Sequence, residues 1–213
     1  MKKLTTISIF FTVLLSQEFQ IARIQYGGGG DWYSDPSSLP NLLNYLRTNT
    51  AMVNASEEVR IKLTDSNAKQ YPYLYMTGHG NIRFSENEII ELRSILNNGG
   101  FLHADDNYGM DKSFRKEMGK VFPDKDWVEL PPSHPIFHSF YKINNGLPKI
   151  HEHDNKRPQA LALFDDKRMI ALYTYESDLG DGWEDREVHN NSENIRIGAL
   201  KMGVNIIIYS LTQ

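Results

Sequence analysis

Four stretches that read as β-strands each run directly into a polar, glycine-bearing or acidic cluster, and this pattern restricts the fold more than any other feature. Residues 19–26 (FQIARIQY) alternate apolar and polar β-formers and end at Gly27-Gly28-Gly29-Gly30, followed by Asp31, Trp32 and Tyr33. Residues 71–76 (YPYLYM) lead into Thr77-Gly78-His79-Gly80-Asn81, and residues 101–104 stop at Asp105-Asp106-Asn107. Residues 169–175 (MIALYTY) run into Glu176-Ser177-Asp178-Leu179-Gly180-Asp181-Gly182-Trp183-Glu184. A further short strand is expected at residues 59–63 (VRIKL). Helical spacings separate these strands. Leu39, Leu42, Leu43 and Leu46 form one stripe, with Ser37 and Ser38 as caps and Pro40 in the first turn. Ser85 and Glu88 form a capping box ahead of Ile89, Ile90, Leu92, Ile95 and Leu96, and Phe114, Met118 and Val121 form a third stripe. Residues 195–211 are an apolar helix in which Gly198, Ala199 and Gly203 allow close packing. Residues 126–158 hold five of the nine prolines and read as a loop-rich excursion.

Strand–helix alternation with right-handed crossovers predicts an α/β three-layer sandwich, a mostly parallel central sheet with helices on both faces. In such a sheet the loops at the carboxyl ends of the strands share one edge, where ligands bind. The four clusters are therefore expected to meet along that edge.

The first residues read as an address. Lys2 and Lys3 precede an uncharged apolar run over residues 4–15, too short for a stable membrane span, so residues 1–16 are expected to be a signal peptide. No second apolar run is read as a span, leaving residues 19–213 as a single exported domain, periplasmic or extracellular. The chain has no cysteine, which excludes disulfides, thiolate metal sites and a cysteine nucleophile. A net charge of −4 argues against a nucleic-acid binder, and 11% aromatic residues argue against disorder.

The clusters resemble the bacterial domain-of-unknown-function family DUF4159. The likeness rests on Gly99-Gly100-Phe101-Leu102-His103-Ala104-Asp105-Asp106, His134-Pro135-Ile136-Phe137, Asp178-Leu179-Gly180-Asp181-Gly182-Trp183-Glu184 and Gly203-Val204-Asn205-Ile206-Ile207-Ile208-Tyr209. It covers the chain from about residue 19 onward. The resemblance implies a flavodoxin-like fold of the class I glutamine amidotransferase-like superfamily. Where that superfamily carries a nucleophilic cysteine this chain has Asp105 and Asp106, which removes amidotransferase chemistry. Similar domains occur in membrane-anchored proteins encoded near MoxR-type ATPases, so a partner in such a membrane complex is implied.

Read from the residues, Asp105 and Asp106 suit a hard cation, acid/base work or hydrogen bonds to sugar hydroxyls; the plain alternative is that one of them caps a helix. Asp178, Asp181 and Glu184 form a second acidic cluster with turn glycines but without EF-hand spacing, readable as a solvated turn or a ligand loop. Trp183, like Trp32 and Tyr33, either packs inward or offers a stacking face. The four glycines are expected to serve a tight turn or close backbone approach, because neither a Walker loop nor a dinucleotide fingerprint is present. His151-Glu152-His153-Asp154 is the densest ligand cluster, and an exposed polar loop is favoured there over a metal site. His79 is placed at the ligand edge, His103 reads as a core histidine, and His134 precedes a proline and is extended. No Gly-x-Ser-x-Gly elbow supports a serine hydrolase.

The expected function is a non-enzymatic binding module with an acidic pocket formed by Asp31, His79, Asp105, Asp106, His134, Asp178, Asp181, Trp183 and Glu184. Its partner would be a polar small molecule, a glycan or a protein, with no cofactor required and a divalent cation compatible. The alternative is a carboxylate/histidine or metal-assisted hydrolase acting on a carbohydrate-like substrate.

Overall fold

A computed structural model describes residues 18–52, 54–153 and 155–213. The expected signal peptide lies outside the described residues. The strands are β1 (Ile21–Ile24), β2 (Val59–Ile61), β3 (Tyr73–Met76), β4 (Phe101–Asp105), β5 (Val128–Glu129), β6 (Gln159–Asp165) and β7 (Arg168–Tyr175). They form one sheet in the order β2-β1-β3-β4-β7-β6-β5. The first five are mutually parallel, while β6 runs antiparallel to both β7 and β5. The sheet is thus mostly parallel, and its layout is consistent with a flavodoxin-like order.

β1, β3 and β4 are buried along their whole length, as strands covered on both faces must be. The two faces divide by side-chain alternation. Ile21, Tyr73 and Tyr75 face α1 (Ser38–Asn49) and α6 (Glu193–Thr212), whereas Ala22, Leu74 and Met76 face α2 (Glu86–Asn97) and α3 (Asp111–Val121). Local signals act where expected. Ser85 Oγ accepts the Glu88 N–H at 3.3 Å and Glu88 Oε2 accepts the Ser85 N–H at 2.7 Å, closing the capping box of α2. Ser37 makes no such cap for α1; its hydroxyl instead donates to Glu184 Oε1 at 3.2 Å.

Two parts of the architecture depart from the sequence reading. The β6 strand (QALALFD) was not anticipated. It extends the sheet through a tight hairpin to β7, with Asp166 at a φ of 50°. The α6 helix is long and apolar enough to cross a membrane by length and composition, contrary to the expectation that no such run follows the first. Here it packs as a core helix, burying Ala199, Leu200 and Met202 to Ile207.

Asn205 of α6 is fully buried, accepts N–H bonds from Phe140 at 3.1 Å and Tyr141 at 2.7 Å, and donates to the Tyr141 carbonyl at 2.8 Å. It therefore pins the proline-rich excursion to the helical layer. Farther along, Ile150 N–H donates to the Ser177 carbonyl at 2.9 Å, and Ser177 Oγ donates to the Pro148 carbonyl at 2.6 Å. These bonds carry the excursion to the carboxyl end of β7.

Of the two glycines in α6, Gly203 is the one under constraint: an added Cβ would sit 2.6 Å from Leu42 and 2.9 Å from the Trp183 ring. Around Gly198 there is open space. Gly203→Val is expected to cost about 2 kcal/mol through overpacking. Gly198→Ala is expected to gain up to about 1 kcal/mol from helix propensity. Urea unfolding of the two variants checks both signs.

Candidate functional site

The loop after β1 needs its glycines. Gly28 and Gly29 have φ of 110° and 92°, and a Cβ on Gly28 would meet the Arg83 nitrogen at 2.7 Å. This close approach lets Gly30 N–H donate to the Asn81 carbonyl at 2.9 Å, clasping the β1 loop to the β3 loop. Asp31 then meets His79. Its Oδ2 lies 3.0 Å from Nδ1, and its Oδ1 accepts the His79 N–H. The pair sits between β1 and β3, where the winding of the sheet reverses.

Behind it, Arg23 is buried on β1 despite the half-exposed alternation its sequence suggests. Its guanidinium pairs with Glu58 at 2.9 Å and donates to the carbonyls of Ser34 at 2.7 Å and Asp35 at 3.3 Å. Asn107 Nδ2 donates to both oxygens of Asp35 at 3.0 Å, joining the β1 loop to the β4 loop. Burial pushes the Asp35 carboxyl up to about 6, with Glu184 adding repulsion and Arg23 opposing both.

Asp105 ends β4 fully buried. It accepts Thr174 Oγ1 at 2.5 Å, the Gly180 N–H at 2.6 Å and the Leu179 N–H at 3.3 Å. Its carboxylate thus satisfies the first turn of the short helix α4 (Leu179–Trp183), a capping role played across the sheet rather than for the helix that follows β4. Burial raises its pKa to about 7 against these donors. Asp106 is placed differently. One oxygen accepts the Glu176 N–H at 3.4 Å, the other has no partner, and burial lifts the carboxyl to about 6.

The densest convergence involves histidines. Asp178 lies 2.5 Å from His153 Nε2 and 3.7 Å from His151 Nδ1. Asp181 approaches His151 Nδ1 at 2.5 Å and His189 Nε2 at 3.2 Å, and Glu184 lies 2.9 Å from the same His189 nitrogen. His189 closes the short helix α5 (Arg186–His189). Burial and the neighbouring carboxylates push both Asp178 and Asp181 well above the usual carboxylate range. Two trios have donor atoms lying within 4.8 Å of one another: His151, Asp181 and His189, and Asp35, Asp181 and Glu184.

Asp31, His79, Asp105, Asp106, Asp178, Asp181 and Glu184 therefore all lie at the carboxyl edge, at strand ends or in the segments that follow them. Trp183 is there too but offers no stacking face. It is fully buried, donates Nε1–H to the Ala199 carbonyl at 2.8 Å and packs on Tyr75 and His103. His134 does not join the group. It lies against Tyr209 near the far end of α6, and its Nδ1 accepts the Ile136 N–H. The segment His151–His153, expected to be an exposed polar loop, is instead folded onto the acidic cluster. His189 was missed by sequence reading, because no local pattern marks it and its partners arrive through the fold.

The family model described as "Domain of unknown function (DUF4159)" matches residues 20–211, so the chain belongs to that family. No curated protein matches it.

His103 lies under this edge, 1% exposed, between Tyr73 OH at 3.3 Å and Thr174 Oγ1 at 3.1 Å. Burial lowers its pKa to about 3. Below about 6.5 the unfolded chain takes up a proton that the folded imidazole refuses, so this group withdraws stability as pH falls from 6.5 toward 3. Its share reaches about 2 kcal/mol at pH 5. His103→Gln is expected to remove that component, which urea titrations of both proteins between pH 5 and 7 measure as a difference in slope.

Proposed function

We propose that this member of the DUF4159 family is an exported, non-enzymatic binding module that takes a small polar ligand at the carboxyl edge of its sheet. The observation that carries the reading is Asp106. It lines a cleft of about 260 Å³ with Tyr108, Gly109, Asp111, Lys112, Lys156, Tyr175 and Glu176. It is 4% exposed, and one carboxylate oxygen makes no hydrogen bond, with the Tyr173 hydroxyl, itself unpaired, the neighbouring donor. Leaving such an acceptor unmade costs on the order of 1–3 kcal/mol, which a ligand hydroxyl or ammonium would recover. Carboxylates and ammonium groups in one small cleft complement a hydroxyl-rich or zwitterionic molecule. Tyr108, 48% exposed at the rim, stacks on His153 with ring centroids 4.7 Å apart, which places two rings beside the cleft. A glycan fragment is therefore the ligand class the cleft favours.

Export rests on the charged start and apolar run of residues 1–16, and association with a MoxR-linked membrane complex on the family resemblance. Descent from the class I glutamine amidotransferase-like group belongs to the same proposal. Its support is the resemblance of the run Gly99 to Asp106, which spans β4, to the segment that leads to the cysteine in that group.

A second reading, a carboxylate/histidine hydrolase of carbohydrate-like substrates, draws on one specific observation. Asp31 holds His79 through Nδ1 at 3.0 Å, the arrangement that orients a general base.

Thermal unfolding with a panel of neutral, acidic and amino sugars separates these outcomes. Binding predicts a saturable rise in stability for at least one sugar, about 2.7 kcal/mol at one hundred times Kd. Asp106→Asn should weaken that sugar at least tenfold, while His79→Ala leaves it unchanged. A flat panel, or a response indifferent to Asp106→Asn, overturns the binding reading; turnover of a sugar conjugate lost in His79→Ala would favour the hydrolase.

A further inference from the structure

Beside the cleft, and independent of it, three side chains from two distant segments bring together the donor set of a transition-metal centre. His151 arrives from the proline-rich excursion, held there by the Ile150–Ser177 backbone bond and by Ile150 packing against Gly182. Asp181 comes from α4 and His189 from the end of α5.

Their spacing is what an ion demands. Bonds of about 2.1 Å place neighbouring ligands roughly 3.0–3.4 Å apart around a four- to six-coordinate cation. Asp181 Oδ1 lies 3.2 Å from His189 Nε2, and Asp181 Oδ2 lies 2.5 Å from His151 Nδ1. One donor atom from each residue lies within 4.8 Å of the others, so small side-chain shifts close the trio on an ion. Glu184 Oε2 lies 2.9 Å from the same His189 nitrogen but groups with Asp35 and Asp181 rather than with His151.

A second observation points the same way. Asp178 is fully buried and faces this group, with Oδ2 3.7 Å from His151 Nδ1, yet its Oδ1 has no partner. Its other contact is His153 Nε2 at 2.5 Å, an imidazole outside the trio. The arrangement is also more than an acidic turn. Imidazole nitrogens discriminate against calcium and magnesium, which prefer oxygen alone, and in favour of borderline first-row cations. The two histidines are 29% and 24% exposed while Asp181 is 6% exposed, so the centre has a buried floor and an open side for water or a ligand atom.

We propose that His151, Asp181 and His189 form a binding site for a divalent first-row transition cation of the zinc type. The site ties the excursion to the carboxyl edge and leaves a coordination position facing solvent.

The test uses the full chain stripped with a chelator and then titrated with zinc alone, read by chromophoric competition and thermal unfolding. One equivalent should bind saturably and raise the unfolding midpoint, with calcium at the same concentration far less effective. His151→Ala and His189→Ala should each weaken zinc at least about a hundredfold. Each histidine also pairs with a buried carboxylate, so zinc affinity is measured by competition at a temperature where the chelator-treated variants are folded. Cobalt substitution of the parent chain adds a readout free of variants: visible d–d bands showing imidazole ligation are expected. Absence of saturable zinc binding overturns the site, as does affinity unchanged in both histidine variants, or calcium binding as tight as zinc. None of these results touches the sugar response that depends on Asp106, so the two proposals fail separately.

Discussion

The carboxylate of Asp105 is the junction on which the functional edge is built. It stands at the end of β4, fully buried, and every donor it meets comes from another part of the chain: the Thr174 hydroxyl on β7 and the Gly180 and Leu179 N–H groups of α4. An unpaired buried carboxylate would be expensive, and so would the free N–H groups at the start of α4. Each resolves the other. Because these donors are immobilised by the sheet, the turn carrying Asp178, Asp181 and Glu184 is held beside β4 rather than left in solvent.

A second junction, Arg23, does the same for the first loop. A guanidinium stays charged at any ordinary pH and has five donors to satisfy. Buried on β1, it finds Glu58 and the carbonyls of Ser34 and Asp35, so the backbone of the β1 loop is folded over it. Asn107 then joins Asp35 to the β4 loop. Four loops distant in the chain become one surface through these few polar contacts, with the apolar layers supplying the free energy that holds them buried.

The resulting edge is crowded with acid. Asp35, Asp105, Asp106, Asp178, Asp181 and Glu184 are all buried, and desolvation, with mutual repulsion added to it, raises the pKa of the aspartates. Such an arrangement is stable only with compensation. Arg23 and Asn107 provide part of it on one side and His151, His153 and His189 on the other, where Asp178 Oδ1 still lacks a partner.

Much of this was legible locally. The capping box at Ser85, the stripe of α3, the glycines of the β1 loop and the core character of His103 follow from rules that operate over a few residues, and they appear as read. The β6 strand escaped because a short alternating run beside a strongly predicted strand carries little signal of its own until the hairpin pairs it. Gly198 and Gly203 look alike in sequence, but only Gly203 faces Leu42 and Trp183. His134 and Trp183 drew notice by residue type, yet one lies near the far end of α6 and the other under the core. The sequence by itself determined the alternation of elements and the sheet edge on which the polar loops fall, because hydrophobic period and turn chemistry are short-range. Only the tertiary structure decided that His151 and His189 meet Asp181, because that meeting depends on where Asn205 and Ser177 pin a loop with no periodicity to read.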